Sequence, residues 1–446
     1  MTLDPTLAAP PHDIAASTPD DAALERAAMG KVTRRLIPFL FVLYIFNYLD
    51  RTNLGIAALE MNRDLGLSAA VYGLGAGMFY LGYILFEIPS NLLLARVGAR
   101  WWIARIMVTW GLLASAMMFV RSPYTFYLVR FLLGVAEAGF FPGIIFYLSR
   151  WFPAEQRARA ISRFMIAVPL SMVVGGPLGG ALLGLSGHGG LKGWQWLFLI
   201  EGIPSVLLGF GVLAYMTERP EDAGWLTPAE REWLAERVRR GQEGGGIGHL
   251  SPGKALANGA VWRIALLYVL GVIGGLAYIF WAPGMIRDLL HLSDFGTGSV
   301  FGGIALLSAA AMLAVGHHSD RTGERWMHVG GSALLVAIGC AGAALLRNPY
   351  LVVASLALVQ IGAMTFLPPF WSIPSTVLTG STAAATIALI NSIGNIGGFV
   401  GPNLLGFVKS ATGGFTGALL TLSGMSLVSA ALAVALRRSP AWRRSA

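Results

Sequence analysis

Apolar residues run along this chain in long unbroken blocks separated by short polar stretches, with no period-two alternation of the kind a half-buried strand shows. The blocks lie near residues 36–59, 71–94, 101–120, 124–148, 160–184, 194–216, 260–285, 296–316, 326–346, 350–372, 382–408 and 415–436. About 20 apolar residues rising about 1.5 Å each cross a bilayer core of roughly 30 Å, so each block predicts one membrane-spanning helix. The pattern therefore predicts an all-α integral membrane protein with twelve transmembrane helices. Composition agrees: 12% of the 446 residues are charged, against about 25% in soluble globular proteins. The first 30 residues hold six acids and histidines but no apolar core, so they read as a flexible polar tail without a cleavable signal.

The net charge of +9 changes the picture only through its distribution. With twelve crossings, 24 lysines and arginines fall on one side of the membrane, 6 fall on the other, and Arg51 and Arg130 remain inside it. The positive-inside rule then puts both termini in the cytoplasm of a multi-pass cell-membrane protein. Such sorting gives no support for nucleic-acid binding.

One long polar interruption, 217–259, divides the blocks six and six. The expected organisation is a cytoplasmic tail (1–34), a six-helix bundle (35–216), a cytoplasmic linker (217–259), a second six-helix bundle (260–436) and a short tail (437–446). Within the linker, Thr227-Pro228-Ala229-Glu230 reads as a capping box with proline at the first helical position. A short amphipathic helix should follow, with Trp233, Leu234 and Val238 on one face, and then a flexible glycine-rich run over 241–248. The halves repeat at an offset of 225 residues: Arg96, Gly98 and Arg100 match Arg321, Gly323 and Arg325, and Gly176-Pro177 matches Gly401-Pro402. Parallel repeats of this kind build transporters with a central site between pseudo-symmetric halves.

The chemistry resides in the few charges inside the apolar blocks. Asp50 and Arg51 interrupt the first block, either as a self-neutralising structural pair or as working groups, since intramembrane charge is expensive. Arg130 and Glu137 lie seven residues apart on one face of the fourth helix. An acid held between burial and a nearby arginine can exchange a proton, which makes Asp50 and Glu137 the candidate proton carriers. Their repeat counterparts are Gly275 and Gly362, so such chemistry is confined to the first half. Glu60 and Glu201 read as interfacial, and Glu87 as a local cap or gate contact one turn from Asn91. The histidines fall in tails, loops or helix ends, and Cys340, the single cysteine, reads as a small core hydrophobe. Arg51 and Arg130 are the cations available to grip a carboxylate bidentately, with Tyr48 and Tyr83 as hydroxyl donors. The second half can add Trp371, Ser372 and the pair Asn391 and Asn395, any of which also serves as ordinary packing.

Ordered motifs give the chain a resemblance. Asn47-Tyr48-Leu49-Asp50-Arg51-Thr52-Asn53, Phe86-Glu87-Ile88-Pro89-Ser90-Asn91, Gly98-Ala99-Arg100-Trp101, Arg130-Phe131-Leu132-Leu133-Gly134-Val135-Ala136-Glu137-Ala138-Gly139, Arg150-Trp151-Phe152-Pro153 and Glu218-Arg219-Pro220-Glu221-Asp222-Ala223 together resemble the major facilitator superfamily. Within it they are similar to the anion:cation symporter family of organic-anion permeases, which includes tartrate, phthalate, sugar-acid and hydroxyphenylacetate permeases. The resemblance implies the major facilitator fold, protonation at Asp50 and Glu137, and substrate contacts at Arg51, Tyr48 and Tyr83. It implies a cytoplasmic gate around Arg96, Gly98 and Arg100 and around Asp320 and Arg321, although Ala95 stands where the first-half motif usually carries an acid.

The expected function is proton-coupled uptake of a small organic carboxylate by a monomer in the lipid bilayer, with no cofactor and no metal. The Gly-Pro run of the fifth helix keeps a proton-driven exporter open as the alternative. A membrane enzyme or sensor is more remote: there is no His/Cys cluster, no phosphate-binding glycine loop and no soluble domain.

Overall fold

The computed structural model describes residues 19–244, 259–377 and 389–438. Among these residues the chain is helical apart from short connections. The first half comprises α1 (Pro19–Asp64), α2 (Ala69–Val97), α3 (Ala99–Ala116), α4 (Pro123–Glu137), α5 (Phe140–Trp151), α6 (Ala154–Met165), α7 (Ala167–Leu183) and α8 (Gly193–Tyr215). The linker helix α9 (Pro228–Gly244) follows. The second half holds α10 (Gly259–Leu290), α11 (Asp294–Thr322), α12 (Trp326–Leu345), α13 (Pro349–Val377), α14 (Ile396–Thr412) and α15 (Thr416–Arg438).

Eleven helical segments among the described residues are long and apolar enough to cross a membrane. The remaining sequence block, 382–408, lies partly outside the described residues; its described part is helical over 389–394 and continues, after a turn at Asn395, into α14. The flexible run expected over 241–248 is helical through Gly244, and the rest of it lies outside the described residues.

One expectation is corrected at the start of the chain. Helix begins at Pro19, where a polar tail is expected, and runs unbroken into the first crossing. The residues there are mostly good helix formers, and Ala28, Met29 and Val32 are buried. Lys31 Nζ lies 2.8 Å from Glu230 on α9, and Gln156 of α6 donates to Glu25 at 2.8 Å. The capping box of α9 forms reciprocally, with Thr227 N–H donating to the Glu230 carboxylate at 2.8 Å and Glu230 N–H to the Thr227 hydroxyl at 3.3 Å.

Within the halves, α3 packs along α8, and α12 along α13 and α15. Between them, α7 packs along α11 and α2 along α14. Both inter-half seams are built on glycine. A Cβ at Gly298 would strike the Gly176 carbonyl, and one at Gly73 would come within 2.6 Å of the Pro402 carbonyl. The repeat offset of 225 residues carries Gly73 onto Gly298 and Gly176-Pro177 onto Gly401-Pro402, so the two seams are pseudo-symmetric copies. Further close approaches, Gly55 to Ile279 and Gly180 to Asp294, lie toward the same end, marked by the connections 65–68, 184–192 and 291–293. Small residues allow this backbone contact, as is usual for helices packed in lipid.

Candidate functional site

Asp50 and Arg51 do not pair with each other. Successive residues on a helix point about 100° apart, and the bundle supplies each with its own partner. Arg51 Nε donates to Glu137 Oε1 at 2.8 Å, and its terminal nitrogen bonds to the same oxygen. Asp50 accepts from Trp110 Nε1 on α3 at 2.8 Å and from Asn53 Nδ2, one turn along α1, at 3.1 Å. The expected structural pair is thus two separate arrangements.

Glu137 is positioned by a break. It is the last residue of α4; Ala138 leaves the helix, Gly139 takes a left-handed φ of +86°, and α5 restarts at Phe140. Few residues other than glycine adopt that conformation, and a Cβ there would also collide with Ser90. Ser90 Oγ donates to the Ala138 carbonyl at 2.6 Å and accepts from Trp102 Nε1 at 2.9 Å, which pins the break against α2 and α3. The fully buried Glu137 carboxylate is aimed at α1 as a result.

The two arginines differ sharply. The Arg51 side chain keeps 16% of its surface accessible and lies among aromatic rings, its Cζ 5.5 Å from Tyr48, 5.4 Å from Phe79 and 5.3 Å from Tyr83. Arg130 is 2% exposed; it donates to the Gly75 carbonyl at 3.4 Å, lies 4.9 Å from the Phe79 ring and is the cation that acts on Asp50. Seven residues of helix put Arg130 and Glu137 on one face, yet the salt bridge of Glu137 is with Arg51. Arg130 therefore offers a ligand almost no surface in this form, and Arg51, beside the half-buried Tyr48 and the buried Tyr83, is the cation that keeps some surface.

Across the interface, Glu87 of α2 accepts from Asn391 at 3.2 Å and from the Ser392 hydroxyl. Of the two contacts expected of Glu87, a local cap or a gate, the one found reaches the second half. Asn395 forms the turn before α14 and makes no capping bond through its side chain. Trp371 packs edge-on against Tyr268, and Ser372 donates to its own helix at Pro368.

The candidate gate residues sit at the opposite end of the bundle from the glycine seams. Gly98 turns α2 into α3 with a φ of +98°, and Glu218 receives the freed N–H groups of Ala99 at 2.9 Å and Arg100 at 2.8 Å. Arg150 completes this cluster at 2.6 Å from Glu218, while Arg100 Nε bonds to the Leu213 carbonyl at 3.0 Å. Arg96 and Arg321 are exposed. Asp320, in the last turn of α11, is bound by Arg325 five residues on at 2.7 Å.

Several participants escaped the sequence reading. Glu201, expected at the interface, is 4% exposed inside the first half. The α3–α8 seam explains it: Gly111 and Gly202 bring the helices into backbone contact and turn the intervening face inward. An acid in an apolar block was the available signal for Glu201, whereas nothing local marked Trp110.

Residues 40–402 match the family model of the Major Facilitator Superfamily. A protein of Agrobacterium vitis named "Putative tartrate transporter" is 49% identical over 93% of this chain and 92% of its own length. A "Quinolone resistance transporter" of Acinetobacter baumannii is 39% identical over 90% of this chain and 92% of its own. Among solved structures, a bacterial homologue of the human lysosomal transporter Spinster, in an inward-facing and unoccupied conformation, superposes with a TM-score of 0.76 at 19% identity, covering 96% of this chain and 99% of that one.

Proposed function

Because this chain belongs to the major facilitator superfamily and is a membrane transporter rather than an enzyme, we propose that it takes up a small organic carboxylate together with protons by alternating access. The observation that carries this reading is the Arg51–Glu137 pair. Arg51 is the accessible cation, and its guanidinium is engaged by a carboxylate of the protein itself. A substrate carboxylate would compete for the same donors. Protonating Glu137 weakens its hold and frees Arg51 to grip the substrate, while deprotonation returns the pair and expels it. Proton and anion together also approach neutrality, which lowers the cost of crossing.

The excess of lysine and arginine at the linker end supports a cytoplasmic placing of that end. On that orientation the glycine seams close the outer side. The name of the Agrobacterium relative supports a hydroxylated dicarboxylate among the first ligands to test.

The decisive experiment is uptake of a labelled carboxylate, tartrate first, into proteoliposomes with an imposed pH gradient. Accumulation against the substrate gradient, abolished by a protonophore, is the expected result. The name of the Acinetobacter relative favours a second reading, proton-driven export of a larger aromatic compound. Quinolone movement opposite to the proton gradient, with no carboxylate uptake, would replace the first reading by the second.

A further inference from the structure

A buried acid outside the Arg51–Glu137 pair has no counter-cation among the described residues. Glu201 on α8 is 4% exposed, and its Oε2 has no hydrogen-bond partner. The side-chain amide of Asn53 reaches the Glu201 carboxyl, and the same amide donates through Nδ2 to Asp50 at 3.1 Å. Asn53 Oδ1 is itself buried without a donor. Both orphaned oxygens belong to one small cluster between α1, α3 and α8, in which the Asn53 amide reaches each acid.

The surroundings of Glu201 contain one other charge. From α1 that charge is Asp50, of like sign. Asp64 and Arg35 on the same helix sit at the two ends of α8, against Trp194 and Tyr215. From α3 come Trp110 and Ser115, while Arg105 lies farther along against Trp102. Neither α7 nor the remainder of α8 carries a charged residue. An ionised carboxylate in that setting would be an unpaired buried anion beside another acid, the arrangement most strongly disfavoured in a bundle core. A single proton on Glu201 removes the charge and supplies the donor that Asn53 Oδ1 lacks.

We propose that Glu201 is an additional proton-binding site within the membrane, and that through Asn53 it acts as a positioning residue for Asp50. With its proton in place, Glu201 donates to Asn53 Oδ1. This fixes the amide so that Nδ2 points at Asp50 and favours the ionised form of that carboxylate. The site is separate from the Arg51–Glu137 pair and holds its proton independently of substrate. It rests on the proton-coupled reading only for its transport consequence; the protonation itself is testable without transport.

Infrared spectroscopy of the full-length protein in lipid vesicles at neutral pH tests the first part. A carbonyl band of a protonated carboxylic acid is expected in the wild type, retained in Glu137→Gln and Glu87→Gln, and lost in Glu201→Gln. Identical wild-type and Glu201→Gln spectra in that region would overturn the assignment. The second part is read from the pH profile of gradient-driven uptake. Glu201→Gln, neutral and still a donor, should keep the wild-type midpoint. Glu201→Leu and Asn53→Ala should each move it upward by about one pH unit, through a lost donor to Asp50. Size-exclusion profiles establish that each variant is folded, and Asn53→Ala serves if the leucine variant is not. Unchanged midpoints in the folded variants, or a Gln variant that shifts as far as the Leu variant, would refute the link to Asp50. A normal infrared result with no carboxylate uptake would instead refute the transport reading and leave the proton site standing.

Discussion

Arg51 of α1 donates through Nε to Glu137 of α4 at 2.8 Å, across a chain separation of 86 residues, and the carboxylate it engages sits at a break that α2 and α3 hold in place. The protein's own acid therefore occupies the donors that an incoming carboxylate would use. On the function proposed above, that geometry would couple proton and anion through competition for one guanidinium.

Replacing Arg51 by Lys keeps the charge but removes the planar fork. Carboxylate affinity should fall by about ten- to a hundredfold, the loss expected for one to two charge-assisted hydrogen bonds. Titration calorimetry on the purified protein reads this directly, and near-normal affinity would remove Arg51 from the site.

Glu137→Gln should uncouple. A neutral amide cannot cycle a proton, so accumulation driven by a pH gradient should disappear while substrate counterflow survives in part. A variant that still concentrates substrate in response to pH would move coupling to Asp50.

How much of this site the sequence revealed depended on whether a residue's partner was local. Arg51, Glu137, Tyr48 and Tyr83 stand out because charge and hydroxyl groups are rare inside apolar blocks, and the structure brings Tyr48 and Tyr83 around Arg51. Helical periodicity correctly put Arg130 and Glu137 on one face, but it does not register a partner on another helix, and the salt bridge of Glu137 runs to α1. The inward turn of Glu201 depends on Gly111 and Gly202 meeting across α3 and α8, a tertiary fact with no local signature. The count of crossings and the repeat were legible because lipid demands length and apolarity from every segment separately. The helical start at Pro19 was obscured because a charged amphipathic turn resembles a tail until its partner α9 is known.

At the seam, Gly298→Val should push the halves apart, because the added side chain meets the backbone of α7 rather than a movable group. The form closed at this end should lose about 1–3 kcal/mol, as overpacked sites do. Spin labels in the connections 65–68 and 291–293 should report a longer distance population than in the parent protein. An unchanged distribution would mean that the seam relaxes locally.

The linker carries a pH dependence of known sign. Burial favours the neutral form of Glu230, but the hydrogen bonds from Lys31 and Thr227 outweigh it and hold the carboxyl below the ordinary glutamate range. The stabilisation it lends to the α1–α9 contact is fully present above the unfolded value, about 4.3, and is lost as pH falls through the lower folded value. Protease cleavage within 228–244 should therefore accelerate only in strongly acid buffer, and Glu230→Gln should show the acid behaviour at neutral pH. A variant as resistant as the parent protein would place the anchoring elsewhere.

The glycine seams have one more consequence, for speed. Where Gly176 faces Gly298 and Gly73 faces Pro402, the surfaces in contact are largely main chain. Main chain already fixed in a helix has no rotamers left to freeze, so each re-closure avoids the ordering entropy that a side-chain interface loses every time it forms. If the halves part and rejoin as proposed, a contact of that kind holds firmly and is remade without that cost.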